Sequence, residues 1–207
     1  MSIIPIFIPH AGCPHQCVFC NQKAISGQKS AAVPAAQAQI KRWLEWIKPS
    51  AHNEAAFYGG SFTGLDLSLQ KELLALTDGL IKQGVIGSVR LSTRPDYIDA
   101  ERLELLKQHH VKLVELGVQS LDDAVLKRAE RGHSAAAVYA AHALLKEEGF
   151  KTIAFGDAAV DIPMFQVCDE SVAMGNASAE VKEKASYVTA DVDQDGLYLA
   201  FKHFNFL

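Results

Sequence analysis

Three thiols, Cys13, Cys17 and Cys20, are the residues of this chain whose spacing points most directly to chemistry. Set as CxxxCxxC on one short segment, their thiolates can close around a single compact metal centre. Iron–sulfur clusters are normally held by four cysteines, so a set of three leaves one iron open to an external chelating ligand. Zinc is the alternative, since it accepts a Cys₃His set that His10, His15 or Cys168 could complete. A zinc ribbon, however, brings a second pair of cysteines on a similar knuckle, and no second CxxC occurs here. The fourth cysteine, Cys168, lies far from the other three. That distribution does not suit a disulfide framework, so reduced, ligand-type thiols are expected.

The elements that must position these thiols alternate along the chain. Ile3 to Ile8 reads as a strand ending just before the cysteines. Gln37 to Ile47 reads as an amphipathic helix that includes Trp43 and Trp46, Ala55 to Tyr58 as a second strand, and Ser68 to Gln83 as a helix with Leu69, Leu73, Leu76 and Leu80 on one face. A strand at Val89 to Ser92, a helix capped by Asp99 and running through Gln108, a strand at Lys112 to Val118, and a helix from Ala135 to Glu148 stopped by Gly149 complete four β/α units. Shorter units follow: strands at Thr152 to Phe155, Ser171 to Met174 and Tyr187 to Thr189, with helices at Ile162 to Val167, Ser178 to Lys184 and Leu197 to Phe204. Such alternation predicts an α/β fold of parallel strands joined by right-handed crossovers, as a barrel, a partial barrel or a doubly wound sheet. Ligands of these folds sit at the C-terminal ends of the strands. Gly59-Gly60-Ser61, Arg94 and the run from Glu115 through Gln119 and Ser120 fall at those ends.

The array Cys13-Pro14-His15-Gln16-Cys17-Val18-Phe19-Cys20, with an aromatic directly before its last cysteine, resembles the signature of the radical S-adenosylmethionine superfamily. The resemblance implies a [4Fe–4S] cluster on Cys13, Cys17 and Cys20, with S-adenosylmethionine bound at the open iron and Phe19 beside it. It implies electron transfer into the sulfonium, release of a 5′-deoxyadenosyl radical, and hydrogen abstraction from a substrate. Gly59 and Gly60 resemble the glycine-rich motif that meets the amino group of S-adenosylmethionine, with Ser61 where an acidic residue is more usual. Together with Arg131-Gly132-His133-Ser134, the phrases at the third and fourth strands resemble the branch that includes the elongator catalytic subunit. That implies cofactor contacts for Glu115, Gln119 and Ser120, a cofactor or substrate contact for Arg94, and tRNA as a partner. Read residue by residue, each is equally a cap or a surface ion pair.

Past Gly149 the chain changes character. The segment Thr152 to Met164 and the phrase Ser171-Val172-Ala173-Met174-Gly175-Asn176-Ala177 resemble haloacid-dehalogenase-like phosphatases of the Cof type. That resemblance makes Asp157 and Asp161 candidate Mg²⁺ ligands, in keeping with the preference of that cation for carboxylate oxygen. Val160 replaces the usual asparagine, and the paired-aspartate nucleophile, hydroxyl and lysine motifs are missing upstream. Helix capping is the competing role for the two aspartates. The expected organisation is a truncated radical-enzyme core over residues 1–150, a partial parallel (β/α) barrel, joined to a phosphatase-like fragment over 151–207 whose Rossmann-like units extend the first sheet.

Composition excludes some partners. The formal net charge is -4 and charged residues make up 21%, so there is no general attraction to phosphate backbones or anionic membranes. The basic residues Lys107, Lys112, Lys127, Arg128 and Arg131 mix with Glu104, Asp123 and Glu130, which reads as solvated helix surface rather than an RNA path. No apolar run reaches the roughly 20 residues of a membrane span, and the amino terminus lacks a secretory start. A cytoplasmic protein with no membrane partner is expected. Three functional readings follow: a radical S-adenosylmethionine enzyme of open substrate and oligomeric state, a non-catalytic fusion, and a Mg²⁺-dependent phosphatase.

Overall fold

A computed structural model of the chain describes residues 2–8, 12–15, 17–20 and 33–206; His10 lies outside them. The chain forms two compact units, Met1–Val118 with Ala129–Gly132, and Gln119–Arg128 with His133–Leu207.

The first unit is a four-stranded parallel sheet in the order β1 (Ile3–Phe7), β2 (Glu54–Tyr58), β3 (Ser88–Thr93), β4 (Val111–Leu116). Neighbours in the sheet are neighbours in sequence, the order of a barrel wall rather than of a doubly wound sheet. Its crossovers carry α1 (Val33–Leu44), α2 (Leu67–Lys82) and α3 (Ala100–Gln108). Ile4, Ile6, Phe57, Val89 and Leu91 bury completely in the sheet, and the Phe57 ring meets Phe62 at 4.7 Å between centroids. Asp99 caps α3 as expected, accepting from the Arg102 N–H at 2.8 Å. Helix α1 starts before the expected Gln37 and ends at Leu44, leaving Trp46 beyond it and exposed. The buried face of α2 is rotated from the expected leucine stripe. Leu73, Leu74 and Leu80 are joined by Gln70 and Thr77, and Gln70 donates to the Thr63 and Leu65 carbonyls at 3.1 and 2.8 Å. A polar side chain inside the core thus fixes the turn after β2.

The second unit holds α4 (Asp123–Arg128), α5 (Ala135–Glu147), β5 (Ile153–Gly156), α6 (Ile162–Phe165), β6 (Glu170–Ala173), α7 (Ala179–Lys184), β7 (Tyr187–Val188) and α8 (Gly196–His203). Strands β5, β6 and β7 form a separate parallel sheet in that order. The expectation that they extend the first sheet is therefore corrected: β5 takes β6 as its ladder partner, and a core of Ala154, Phe165, Ala173, Ala177 and Val181 buries its apolar surface. Cys168 packs against that core, and burial raises its thiol pKa. Although the change of sequence character falls near Lys151, α4 and α5 belong to the same compact unit as the later strands. The Asp169 carboxylate ties the α5–β5 connection, accepting from the Thr152 N–H at 2.9 Å, the Thr152 hydroxyl at 2.8 Å and Lys146 Nζ at 2.6 Å.

Candidate functional site

Because β1 to β4 are parallel, their C-terminal ends share one edge of the first unit, and the cysteine segment, Gly59-Gly60-Ser61, Arg94 and Glu115 all follow or end those strands. All three cysteines are free thiols, Cys17 buried and Cys13 and Cys20 half-buried. The Cys20 N–H donates to the Cys17 carbonyl at 2.9 Å, turning the chain so that both thiols leave one tight loop. Phe19 is exposed.

Two backbone contacts hold this loop in place. Gly12 has φ 73°, and a Cβ there would collide with the Ser61 carbonyl, the Gly64 carbonyl carbon and the Leu65 nitrogen. The loop before Cys13 thus lies directly on the turn after β2. From the other side, Gly132 sits against the His15 ring with no room for a Cβ, and the Val18 N–H donates to the Ala129 carbonyl at 3.2 Å.

Ser61 is 1% exposed. Its hydroxyl bonds Thr93 Oγ1 at 2.9 Å and accepts from the Arg94 N–H at 3.2 Å, while Thr63 Oγ1 meets the same Thr93 oxygen. These hydroxyls lock the ends of β2 and β3 together. Arg94 forms a two-point ion pair with Asp96, Nε and Nη2 each at 2.9 Å. Burial works against its charge, while Asp96 and then the charges of Cys13 and Cys17 support it, so its pKa rises. Its Nη1 is buried without a hydrogen-bond partner among the described residues. Glu115 accepts from the Tyr58 hydroxyl at 3.2 Å, and burial pushes its carboxyl pKa up.

Arg131, expected on a solvated surface, is instead buried. One terminal nitrogen donates to Cys17 Sγ at 3.7 Å and the other to the Gly117 carbonyl, while its Nε has no partner among the described residues. Two guanidinium groups therefore serve the thiol region, with buried donor capacity left over. Among the described residues no three His, Cys, Asp or Glu side chains already converge as a metal cage. The fit to an iron–sulfur cluster rests on donor chemistry: three reduced thiols for iron, and spare buried N–H groups for anionic sulfur and a chelating carboxylate.

Gln119 and Ser120 belong to the second unit. Gln119 is exposed at φ 70°, and the Ser120 hydroxyl accepts from the Asp122 N–H at 3.1 Å, initiating α4. Asp161 accepts from the Asp157 and Ala158 N–H groups, each at 3.0 Å, and Asp157 accepts from Asn176 Nδ2 at 3.3 Å. Both carboxylates are thus engaged in shaping their own loop. The parts played by Gly12 and Thr93 and the contact from Arg131 to Cys17 were not foreseen from sequence, although Arg131 and Gly132 stood in one of the phrases that carry the family resemblance.

The model of the radical SAM superfamily matches residues 7–163. A tRNA uridine(34) acetyltransferase of Dehalococcoides mccartyi is 28% identical over 171 residues, covering 67% of this chain and 37% of that protein. A putative phosphatase, YkrA of Bacillus subtilis, is 46% identical over 56 residues, 27% of this chain and 22% of its own length. The solved structure of Elp3 from the archaeon Methanocaldococcus infernus superposes with a TM-score of 0.56 at 19% identity, over 83% of this chain and 45% of that one. The chain thus spans between about a fifth and just under half of the length of these three relatives. It joins a radical-SAM region with elongator-type relatives to a C-terminal part like that of haloacid-dehalogenase-like phosphatases.

Proposed function

Since the chain belongs to the radical SAM superfamily, we propose that it binds a [4Fe–4S] cluster through Cys13, Cys17 and Cys20 and S-adenosylmethionine beside it. The observation that carries this reading is the pairing of three free thiols with the partly unpartnered, buried guanidiniums of Arg94 and Arg131. When bound, the pair supplies one low-potential electron and a 5′-deoxyadenosyl radical that abstracts hydrogen from the substrate. The chain's own residues bind, orient and seal. Gly12 and Gly132 pin the thiol loop from two sides, and Gly59-Gly60 offers bare backbone where the amino group of S-adenosylmethionine would lie. The spare Nη1 of Arg94 suits a carboxylate or a ribose oxygen, while the Tyr58–Glu115 pair presents a carboxyl group at the end of β4. Burial of Arg94 strengthens the charge it presents there. The activity named for the D. mccartyi relative makes tRNA the first substrate to try, in a cytoplasmic setting.

Reconstitution with iron and sulfide under anaerobic conditions tests the reading. The wild-type chain should take up a brown chromophore and release 5′-deoxyadenosine on reduction with S-adenosylmethionine present, and Cys17→Ala should do neither. A wild-type chain that loads no cluster, or a Cys17→Ala chain that still forms 5′-deoxyadenosine, would overturn it. A phosphatase role has no such support, because the Asp161 carboxylate is taken up by the backbone N–H groups of Asp157 and Ala158.

A further inference from the structure

The short segment Ala129–Gly132 leaves the second unit's helices on either side of it and packs with the first unit. Three of its contacts there fall on the cysteine loop: Ala129 receives the Val18 N–H, Gly132 meets the His15 ring, and Arg131 donates to Cys17 Sγ. Of the three, the last touches a thiol. The Arg131 guanidinium is anchored by the Gly117 carbonyl at its other terminal nitrogen, so the group reaching the sulfur is held at two points. It is 9% exposed, and its Nε is a buried donor with no partner among the described residues.

We propose that Arg131 is a positioning residue that acts through Cys17 to raise the potential at which the cluster accepts its electron. The inference rests on the cluster assignment above. Reduction places one more negative charge on iron and sulfur, so an N–H bond and a positive charge at a ligand sulfur stabilise the reduced form more than the oxidised one. Hydrogen bonds to sulfur and solvent exposure are main determinants of cluster potentials, and outer groups that orient a ligand tune the metal it holds. Burial weakens dielectric screening of the guanidinium. The two-point hold requires a planar fork, which lysine lacks, so Arg131→Lys retains charge without the geometry.

The test is a redox titration of the reconstituted full chain without S-adenosylmethionine, following the spectrum of the reduced cluster. The comparison includes wild type, Arg131→Met, Arg131→Lys and the surface control Lys127→Met. Arg131→Met should shift the midpoint to a more negative value at equal iron content, Arg131→Lys should fall between it and wild type, and Lys127→Met should match wild type. A midpoint of Arg131→Met equal to that of wild type overturns the inference, as does an equal shift in Lys127→Met, which would make the effect one of general charge. Should Arg131→Met hold no iron, Arg131→Lys decides: a midpoint below wild type supports the inference, and coincidence with wild type overturns it. A wild-type chain that takes up no cluster defeats the functional reading itself, whereas a loaded wild type with an unmoved Arg131→Met defeats this inference alone.

Discussion

Gly12 and Gly64 meet backbone to backbone, so that a Cβ on either one would overlap the main chain at the other. The contact seats the thiol loop on the turn after β2, and no larger residue fits the space.

Gly12→Ala meets this overlap and also a φ of 73° that a side chain disfavours. Overpacking of this kind costs roughly 1–3 kcal/mol, and the expected result is a lower urea midpoint together with reduced iron loading. An alanine variant with an unchanged midpoint and full loading would show that the two loops do not need this approach.

Thr93 Oγ1 is the shared partner of Ser61 Oγ, Thr63 Oγ1 and, at 3.3 Å, the Thr63 N–H. Thr93→Val keeps the shape and removes the hub, leaving buried donors unsatisfied at about 1–3 kcal/mol. Stability should fall by that order in chemical unfolding. Ser61→Ala should cost less, because it leaves the bonds between Thr63 and Thr93 in place. The reverse ranking would contradict the assignment of Thr93 as the hub.

Asp169 supplies the pH-dependent prediction. Lys146 first, then the Thr152 N–H and hydroxyl, hold its carboxyl far below the usual carboxylate range. A depressed folded-state pKa means the unfolded chain binds the proton more readily. The contribution is therefore fully present above the ordinary aspartate value of about 3.9 and is lost as pH falls towards the folded-state value. Asp169→Asn should be less stable than wild type at neutral pH, and the gap should narrow on acidification below pH 4. A gap that stayed constant from pH 7 to pH 2.5 would refute the role of the charge.

The regular elements were legible because their signals are local. The seven strands among the described residues fall where apolar runs of strand length predict them, and Asp99 caps the helix that follows it. Helix α4, unlike the equally short α7, was not expected from the sequence. The face of α2 was misjudged because Gln70 earns burial through two carbonyls that only the folded turn brings within reach. At the site, the cysteine spacing is visible in eight consecutive residues, whereas the bond from Arg131 to Cys17 joins positions 114 apart and exists only after the sheet has formed. Thr93 escaped notice for a similar reason, since nothing in its own sequence neighbourhood marks it as the hydroxyl to which two strand ends are tied.

The link between α5 and β5 bears on how such a chain can be inherited. His142 meets Thr152 and Lys146 meets Asp169 across residue 151. The radical SAM match runs on to residue 163, past this link, while the compact unit that holds α5 begins upstream of it. The stretch that shows a shared family and the stretch that folds together are different lengths of chain, and α5 lies in both.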